Sequence, residues 1–207
     1  MKKNKKLLVL VALFLAVFAV GGTLAYLTDT TETKTNTFTF GKVDITLTEP
    51  NWNTTTAGDI VPGQQVAKDP TITVESDSKN AYVFAKVTLP TGTVGTQSDQ
   101  PLFAIDALGT GWVEVTTGVT LGANEHLYAY GTASAMTSVA KNTTLPAVFT
   151  SVTANAGLTE ANITALTTPS ARSANIVVTA YAIQAEGLSN NGAAITAPAD
   201  VWTAAGF

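Results

Sequence analysis

The chain has 207 residues, with 11 Lys and Arg against 15 Asp and Glu, a formal net charge of −4. This balance argues against a nucleic-acid binder, which needs a cationic surface to displace counterions from phosphates. The absence of Cys excludes disulfides and thiol chemistry, and a single His excludes any mechanism that needs two imidazoles. Hydrophobic residues make up 45% of the chain, enough for the core of one domain or at most two small ones, and the 36 threonines favour strands over helices.

The amino terminus has the three parts of a secretory signal peptide: four lysines, an apolar run from Leu7 to Val20, and small residues. The 14 residues of that run form about 21 Å of helix, short of the ~30 Å hydrocarbon slab, so length disfavours the alternative of an uncleaved anchor. Cleavage after Ala25 places Thr23 and Ala25 in the small-residue subsites. Residues 1–25 are therefore the predicted signal peptide, and the mature chain begins at Tyr26.

The segment after the cleavage site is polar and strand-prone. Between Thr28 and Thr39 it carries seven threonines and three charged residues, and it has no apolar face. Such a segment has little apolar surface with which to bury itself. We therefore predict that residues 26–40 form an amino-terminal arm with the first strand, and that residues 41–207 form the folded domain.

Apolar alternation begins at the end of the arm and changes phase at Gly41-Lys42, which predicts a bulge or kink. The alternating residues are Phe38 and Phe40, then Val43, Ile45 and Leu47. Residues 49–63 read as a long loop that ends in a Pro62-Gly63 turn. A strand over residues 66–74 is expected to break near Pro70, and residues 82–89, apolar on both faces, are expected to form a central strand.

The second half of the domain alternates short strands with Gly-rich and Asn-rich connections. We predict a loop at residues 90–101, strands at 102–107, 112–121 and 126–130, and a helix within 154–166 that begins near Thr159. A strand over 175–186 and a terminal helix that pins Trp202 against the sheets complete the chain. This spacing predicts an all-β fold, a jelly-roll-like antiparallel β-sandwich with short helical excursions.

Three segments resemble the TasA/camelysin family of proteins exported by Gram-positive bacteria. The junction GGTLAYLTD at residues 21–29, which continues through Phe38 to Gly41 and Asp44, is similar to substrates of the SipW-type signal peptidase. The second segment contains Pro62-Gly63 and the strand at 80–87, and the third is the late strand at 176–187. The resemblance spans most of the mature chain and is specific over its first part; residues 100–170 carry none.

The resemblance implies a jelly-roll domain and, for the TasA branch, biofilm matrix fibres in which the arm of one subunit enters the sheet of the next. Main-chain hydrogen bonds supply the affinity in this kind of β-augmentation, and a head-to-tail contact that does not close propagates into a filament. In this chain Tyr26 and Leu27 would anchor the tip, with Phe38 and Phe40 on the hinge side. The predicted donor residues are Tyr26, Leu27, Thr28, Asp29, Thr31, Thr33, Thr35 and Thr37.

The same resemblance implies partners and a location. The signal peptidase is the processing enzyme, and the partner is a second copy in a homo-oligomer or filament, or a related matrix protein in a copolymer. The mature protein is expected in the extracellular matrix or on the cell surface of a Gram-positive bacterium, with no membrane after cleavage and no nucleic acid.

The camelysin name also carries a metalloendopeptidase activity, which the sequence does not support. A zinc peptidase of the His-Glu-x-x-His type needs two imidazoles, and this chain has only His126, preceded by Glu125. The Gly-x-Ser-x-Gly elbow of a hydrolase and the calcium loop of an EF-hand are also absent. We therefore predict a protein that is not an enzyme, with no catalytic residue, no metal ligand and no cofactor.

Three alternatives remain open beside the fibre-forming structural protein. One is the metalloendopeptidase. Another is an accessory subunit that caps or anchors fibres made by a paralogue. The third is a monomeric adhesion or carbohydrate-binding module, for which Trp52, in a polar loop, is the aromatic residue whose exposure matters most. The other aromatic candidates are Trp112, Trp202, Tyr128 and Tyr130, of which Trp112 and Trp202 are expected in the core.

Overall fold

The predicted all-β fold is confirmed: antiparallel sheets pack in a sandwich, with two short helices beside them. The computed structural model describes residues 41–55, 57–166, 172, 174–190 and 192–207. The predicted signal peptide, its cleavage site and the arm lie outside the described residues, as do Phe38 and Phe40.

Fourteen strands and two helices follow one another along the described ranges. The strands are β1 Ile45–Thr48, β2 Gln65–Ala67, β3 Thr71–Val74, β4 Ala81–Thr88, β5 Thr91–Val94, β6 Gln97–Pro101, β7 Phe103–Ile105, β8 Trp112–Glu114, β9 Glu125–Tyr130, β10 Thr143–Thr144, β11 Ser151–Ala154, β12 Val177–Gln184, β13 Ser189–Asn190 and β14 Ala193–Ala194. The helices are α1 Glu160–Thr164 and α2 Pro198–Ala205. Within the described part of the chain, neither of these two helices is long and apolar enough to cross a membrane.

One four-stranded sheet forms the centre of the domain, in the order β12-β4-β9-β8. Two three-stranded sheets, β1-β3-β10 and β2-β11-β7, pack against one of its faces. The chain passes from β2 to β3, and so from one small sheet to the other, at the corner Lys68–Pro70. This corner explains the predicted break near Pro70: residues 66 and 72 belong to different sheets.

The main core lies between the central sheet and the two small sheets. Val83, Ala85 and Val87 of β4 are fully buried there, opposite Ile72 and Val152 of the small sheets. Val43, Ile45 and Leu47 pack against the same core. The bulge or kink at Gly41-Lys42 stays a prediction, because Phe38 and Phe40 lie outside the described residues.

The other face of the central sheet is covered by α2. Trp202 packs edge-on against Phe84 of β4 at 5.3 Å between ring centroids and against Tyr181 of β12 at 5.1 Å. Its neighbour Val201 is fully buried in the same cluster. The predicted terminal helix and the role of Trp202 are therefore confirmed, and β4 is buried on both faces as expected of a central strand.

The predicted loop at residues 90–101 is wrong, because this segment forms the hairpin β5–β6. The hairpin turns at Gly95, where φ is +59°, a value that glycine adopts without strain. Asn162 of α1 accepts a hydrogen bond from the Gly95 amide at 3.0 Å and donates one to its carbonyl at 3.2 Å. Both strands are polar, so the segment has no alternation of apolar residues from which the sequence could predict a hairpin.

Two further predictions need correction. The strand expected over residues 112–121 ends at Glu114, and the chain beyond it turns through Gly118, where φ is +76°. The helix expected within 154–166 is limited to α1, because Ala154 still belongs to β11. Its predicted beginning is confirmed, since Thr159 caps the helix through reciprocal hydrogen bonds with Asn162.

Trp202→Ala is expected to lower the free energy of unfolding by about 3–5 kcal/mol, because it removes the side chain that packs α2 against the central sheet and leaves a cavity there. The matched control is Trp52→Ala: that side chain is exposed, and its loss is expected to cost about 1 kcal/mol or less. Urea unfolding followed by circular dichroism measures both. Equal losses in the two variants would contradict the packing described for α2.

Candidate functional site

One candidate site is the outer edge of β2, at which no described strand pairs. On its other side β2 pairs with β11, with Val66 opposite Val152. The hydrogen bonds from Lys68 N to Thr150 O and from Ala154 N to Gln64 O show that the even-numbered residues bond to β11. In an antiparallel pair the intervening residues point their amides and carbonyls the opposite way. Gln65 and Ala67 therefore present main-chain groups to an edge where no described strand pairs.

The edge is open because β1 stops at the corner. The last residue of β1, Thr48, lies opposite Thr71 at the start of β3, so β1 covers β3 and does not extend beside β2. The chain after β1 is tied to the corner: Glu49 Oε1 lies 2.6 Å from Lys68 Nζ. Asp69 accepts hydrogen bonds from the backbone N and the Nδ2 of Asn51 at 3.0 and 2.7 Å. These contacts keep the segment after β1 at the corner, so no strand among the described residues covers the flank of β2.

A groove runs along this open edge, between β2 and the beginning of β12. It consists of two adjoining hollows of about 670 and 640 Å³, which share the lining residues Ala57, Ile60, Phe103 and Ala174. We call it the β2–β12 groove. Its further lining residues include Val66 of β2, Val152 of β11, Val177 and Val178 of β12, and Trp52, Val61 and Pro62 of the loop after β1.

Exposed apolar side chains concentrate at this groove. Among the described residues four large hydrophobic side chains are exposed, and three of them, Trp52 at 42%, Val61 at 59% and Val177 at 53%, line the groove. Clustered exposed apolar residues mark interaction surfaces, whereas scattered ones need no explanation. The groove therefore has apolar walls, and β2, which contributes Val66 to it, also carries the outward main-chain groups of Gln65 and Ala67.

The basic side chains that line the groove are already paired. Lys68 contacts Glu49, and its Nζ also lies 5.0 Å from the ring centroid of Trp52, a cation–π contact. At the other end of the groove, Nη1 and Nη2 of Arg172 donate hydrogen bonds to the Glu160 carboxylate at 2.8 and 3.2 Å. The Arg172 guanidinium lowers the pKa of the Glu160 carboxyl. A bound segment is therefore held mainly by main-chain hydrogen bonds and apolar contact.

The carboxylate of Asp106 links β2 to the neighbouring strand β11. Asp106 accepts hydrogen bonds from Ser151 Oγ at 2.6 Å, Gln65 Nε2 at 2.8 Å and Thr153 Oγ at 2.9 Å. These bonds, that of Ser151 most of all, lower the pKa of the Asp106 carboxyl against the opposing effect of burial. Asp106 thus joins β2 to β11 and holds the open edge in a fixed position.

The predicted motif residues that the structure describes fall into two groups at opposite ends of β1. Gly41 and Asp44 lie at the base of the arm, where Ser78 Oγ accepts a hydrogen bond from the Asp44 amide at 3.0 Å and the Lys42 carbonyl accepts one from Lys79 N. Pro62-Gly63 lies at the groove: Gly63, with φ of +80°, donates to the Ala154 carbonyl and directs the chain into β2.

The remaining predicted site residues lie outside the described part of the chain. These are the cleavage residues Thr23, Ala25 and Tyr26, the arm residues Leu27, Thr28, Asp29, Thr31, Thr33, Thr35 and Thr37, and the motif residue Phe38. Gln65, Ala67 and Val177 were not predicted as site residues. The predicted break near Pro70 was the one signal that pointed to an interrupted sheet beside them.

The residues considered for catalysis do not converge. His126 lies in β9 opposite Val87 of β4, and β8 ends opposite Tyr128, so His126 has no partner in β8; its Nδ1 is 2.7 Å from Glu114 Oε1. Glu125 bonds Lys86 at 3.1 Å and the Gly122 amide at 3.0 Å, and that amide and Lys86 lower its pKa. Within the described ranges no three His, Asp or Glu side chains come together as metal ligands. The aromatic candidates Trp112, Trp202 and Tyr128 are buried, whereas Trp52 is exposed.

Comparison of the chain with protein-family models, with curated proteins and with solved structures finds no match. The resemblance to the TasA/camelysin family therefore stays a prediction.

Asp106→Asn is expected to lower the free energy of unfolding by about 1–2 kcal/mol at pH 7, because it removes the charge that three donors share. The lowered pKa of Asp106 makes its contribution fully present above the ordinary Asp value of about 3.9 and progressively lost as the pH falls through the folded-state value. Urea unfolding between pH 7 and pH 3 measures the difference.

The matched control is Asp59→Asn, which neutralises an exposed carboxylate. A difference between wild type and Asp106→Asn that stays constant down to pH 3 would contradict the assigned role.

Proposed function

We propose that this chain is a secreted structural protein of the extracellular matrix or cell surface that forms fibres by donor-strand exchange. In this proposal the arm, residues 26–40, leaves one subunit and pairs with β2 in the β2–β12 groove of the next. The observation that carries the proposal is the open edge of β2 beside a groove lined by three exposed large hydrophobic residues.

The chemistry of the groove suits an extended polar segment. Gln65 and Ala67 offer outward main-chain donors and acceptors, which bind any strand irrespective of its side chains. The apolar walls then select alternate side chains of the arm, and at its tip either Tyr26 or Leu27 faces the wall, because adjacent side chains of a strand point to opposite faces. The threonines that follow them favour the extended conformation that pairing requires.

The positions of the proposed donor and acceptor allow a filament. The base of the arm at Gly41 lies at one end of β1, and the groove begins after Glu49 at the other. Extended chain rises about 3.3 Å per residue, so these ends are on the order of 20 Å apart. A contact between two different ends of the same domain is heterologous, and such contacts propagate when their rotation does not close.

The arm is long enough for this exchange. Fifteen residues, 26–40, span at most about 50 Å when fully extended. That reach also allows the arm to occupy the groove of its own domain, which would give a monomer in place of a fibre. Assembly state is therefore the quantity that separates the two arrangements.

Deletion of residues 26–37 is expected to abolish filaments, because it removes the donor strand and leaves the domain intact. Negative-stain electron microscopy measures assembly, and circular dichroism checks that the sandwich stays folded. Filaments that persist would contradict the proposal. A wild-type protein that is monomeric, with glycan binding that survives the deletion, would favour the carbohydrate-binding module.

Ala67→Pro is expected to reduce filament formation at least tenfold, because proline removes an outward amide that makes no bond to β11. Ala67→Val is the matched control, since it keeps the amide at the same exposed position. Light scattering of both variants at equal concentration measures the difference. Equal assembly of the two variants would show that the arm does not pair with this edge.

A further inference from the structure

A second cleft opens beside the β2–β12 groove, with which it shares the lining residues Phe103 and Ala154. It has a volume of about 580 Å³ and lies between β7 and β11 of one sheet and β8 and β9 of the facing sheet. Its walls are mainly apolar and include Leu89, Phe103, Ile105, Tyr128 and Ala154. The size and the apolar lining are those of pockets that bind small molecules.

One residue that lines the cleft, Tyr128, is buried as a whole while its hydroxyl has no protein partner. Tyr128 is 3% exposed, and its hydroxyl makes no hydrogen bond to the protein. Within the described ranges no side-chain oxygen or nitrogen is sealed from solvent without a partner. The hydroxyl therefore reaches an accessible space, and the cleft is the space that Tyr128 lines. Burial, with the charge of Glu114, raises the pKa of the phenol, so it remains a hydrogen-bond donor at neutral pH.

The other polar side chains around the cleft are already engaged. Thr153 donates to Asp106, and Asn155 donates to the Pro101 carbonyl and accepts from the Gly157 amide. His126 uses Nδ1 toward Glu114, and its ring is parallel to that of Tyr128 at 6.3 Å between centroids. Glu114 places a carboxylate at the rim, which disfavours an anionic ligand by like-charge repulsion.

We propose that this cleft binds a small, neutral, largely apolar molecule, whose carbonyl oxygen accepts a hydrogen bond from the Tyr128 hydroxyl. The apolar walls supply the affinity by burying the body of the ligand, and Tyr128 fixes its orientation. Tyr128 lines this cleft and neither hollow of the groove, so the proposal does not depend on fibre formation.

Two neutral ketone probes test the site on the purified protein: Nile red, followed by its fluorescence, and acetophenone, followed by its effect on the aromatic NMR signals of Tyr128. Both are expected to bind saturably. Tyr128→Phe removes only the hydroxyl and is expected to weaken Nile red binding about three- to tenfold, the range of one net hydrogen bond. Tyr82→Phe is the matched control, since Tyr82 is similarly buried on the opposite face of β4.

A filling variant checks the location of the probe. Ala156 is exposed at the mouth of the cleft, and Ala156→Trp is expected to abolish saturable binding without loss of fold. The anionic dye anilinonaphthalene sulfonate is expected to bind more weakly than Nile red because of Glu114. Failure of both ketones to bind saturably overturns the proposal, as does binding that Tyr128→Phe and Ala156→Trp leave unchanged.

Discussion

The need of every main-chain amide for a hydrogen-bond partner is the constraint on which this account depends. Strand β2 satisfies that need on the side of β11, and on its other side no strand of the described part of the chain pairs with it. An exposed edge of this kind is a template for another strand, and soluble proteins usually cover or shorten it. The edge of β2 is three residues long, and it lies beside an apolar groove.

The corner at Lys68–Pro70 connects the fold to this site. It moves the chain between two sheets, and its buried Lys68 and Asp69 hold the segment after β1 through Glu49 and Asn51. The same contacts that end β1 therefore create the space beside β2. Because the base of the arm lies at the opposite end of β1, donor and acceptor are separated by the length of the strand, as a growing filament requires.

Local sequence patterns revealed the elements that carry their own apolar signal. Strand β4 was predicted because both of its faces are apolar, and α2 because Trp202 follows a proline start near the end of the chain. The hairpin β5–β6 was missed because its strands are polar and Asn162 holds its turn from 67 positions away. The groove also could not be predicted, because its position depends on which strands pair with one another. The predicted break near Pro70 is the one local pattern that indicates how the sheets are divided.

Amide hydrogen exchange at β2, compared between assembled protein and the variant that lacks residues 26–37, tests the central claim most directly. The account predicts that the amides of Gln65 and Ala67 exchange rapidly in the truncated protein and become protected in the assembly. Val66, which bonds to β11 in both states, should stay slow and serves as the internal reference. Equal, rapid exchange of Gln65 and Ala67 in both samples would contradict the account.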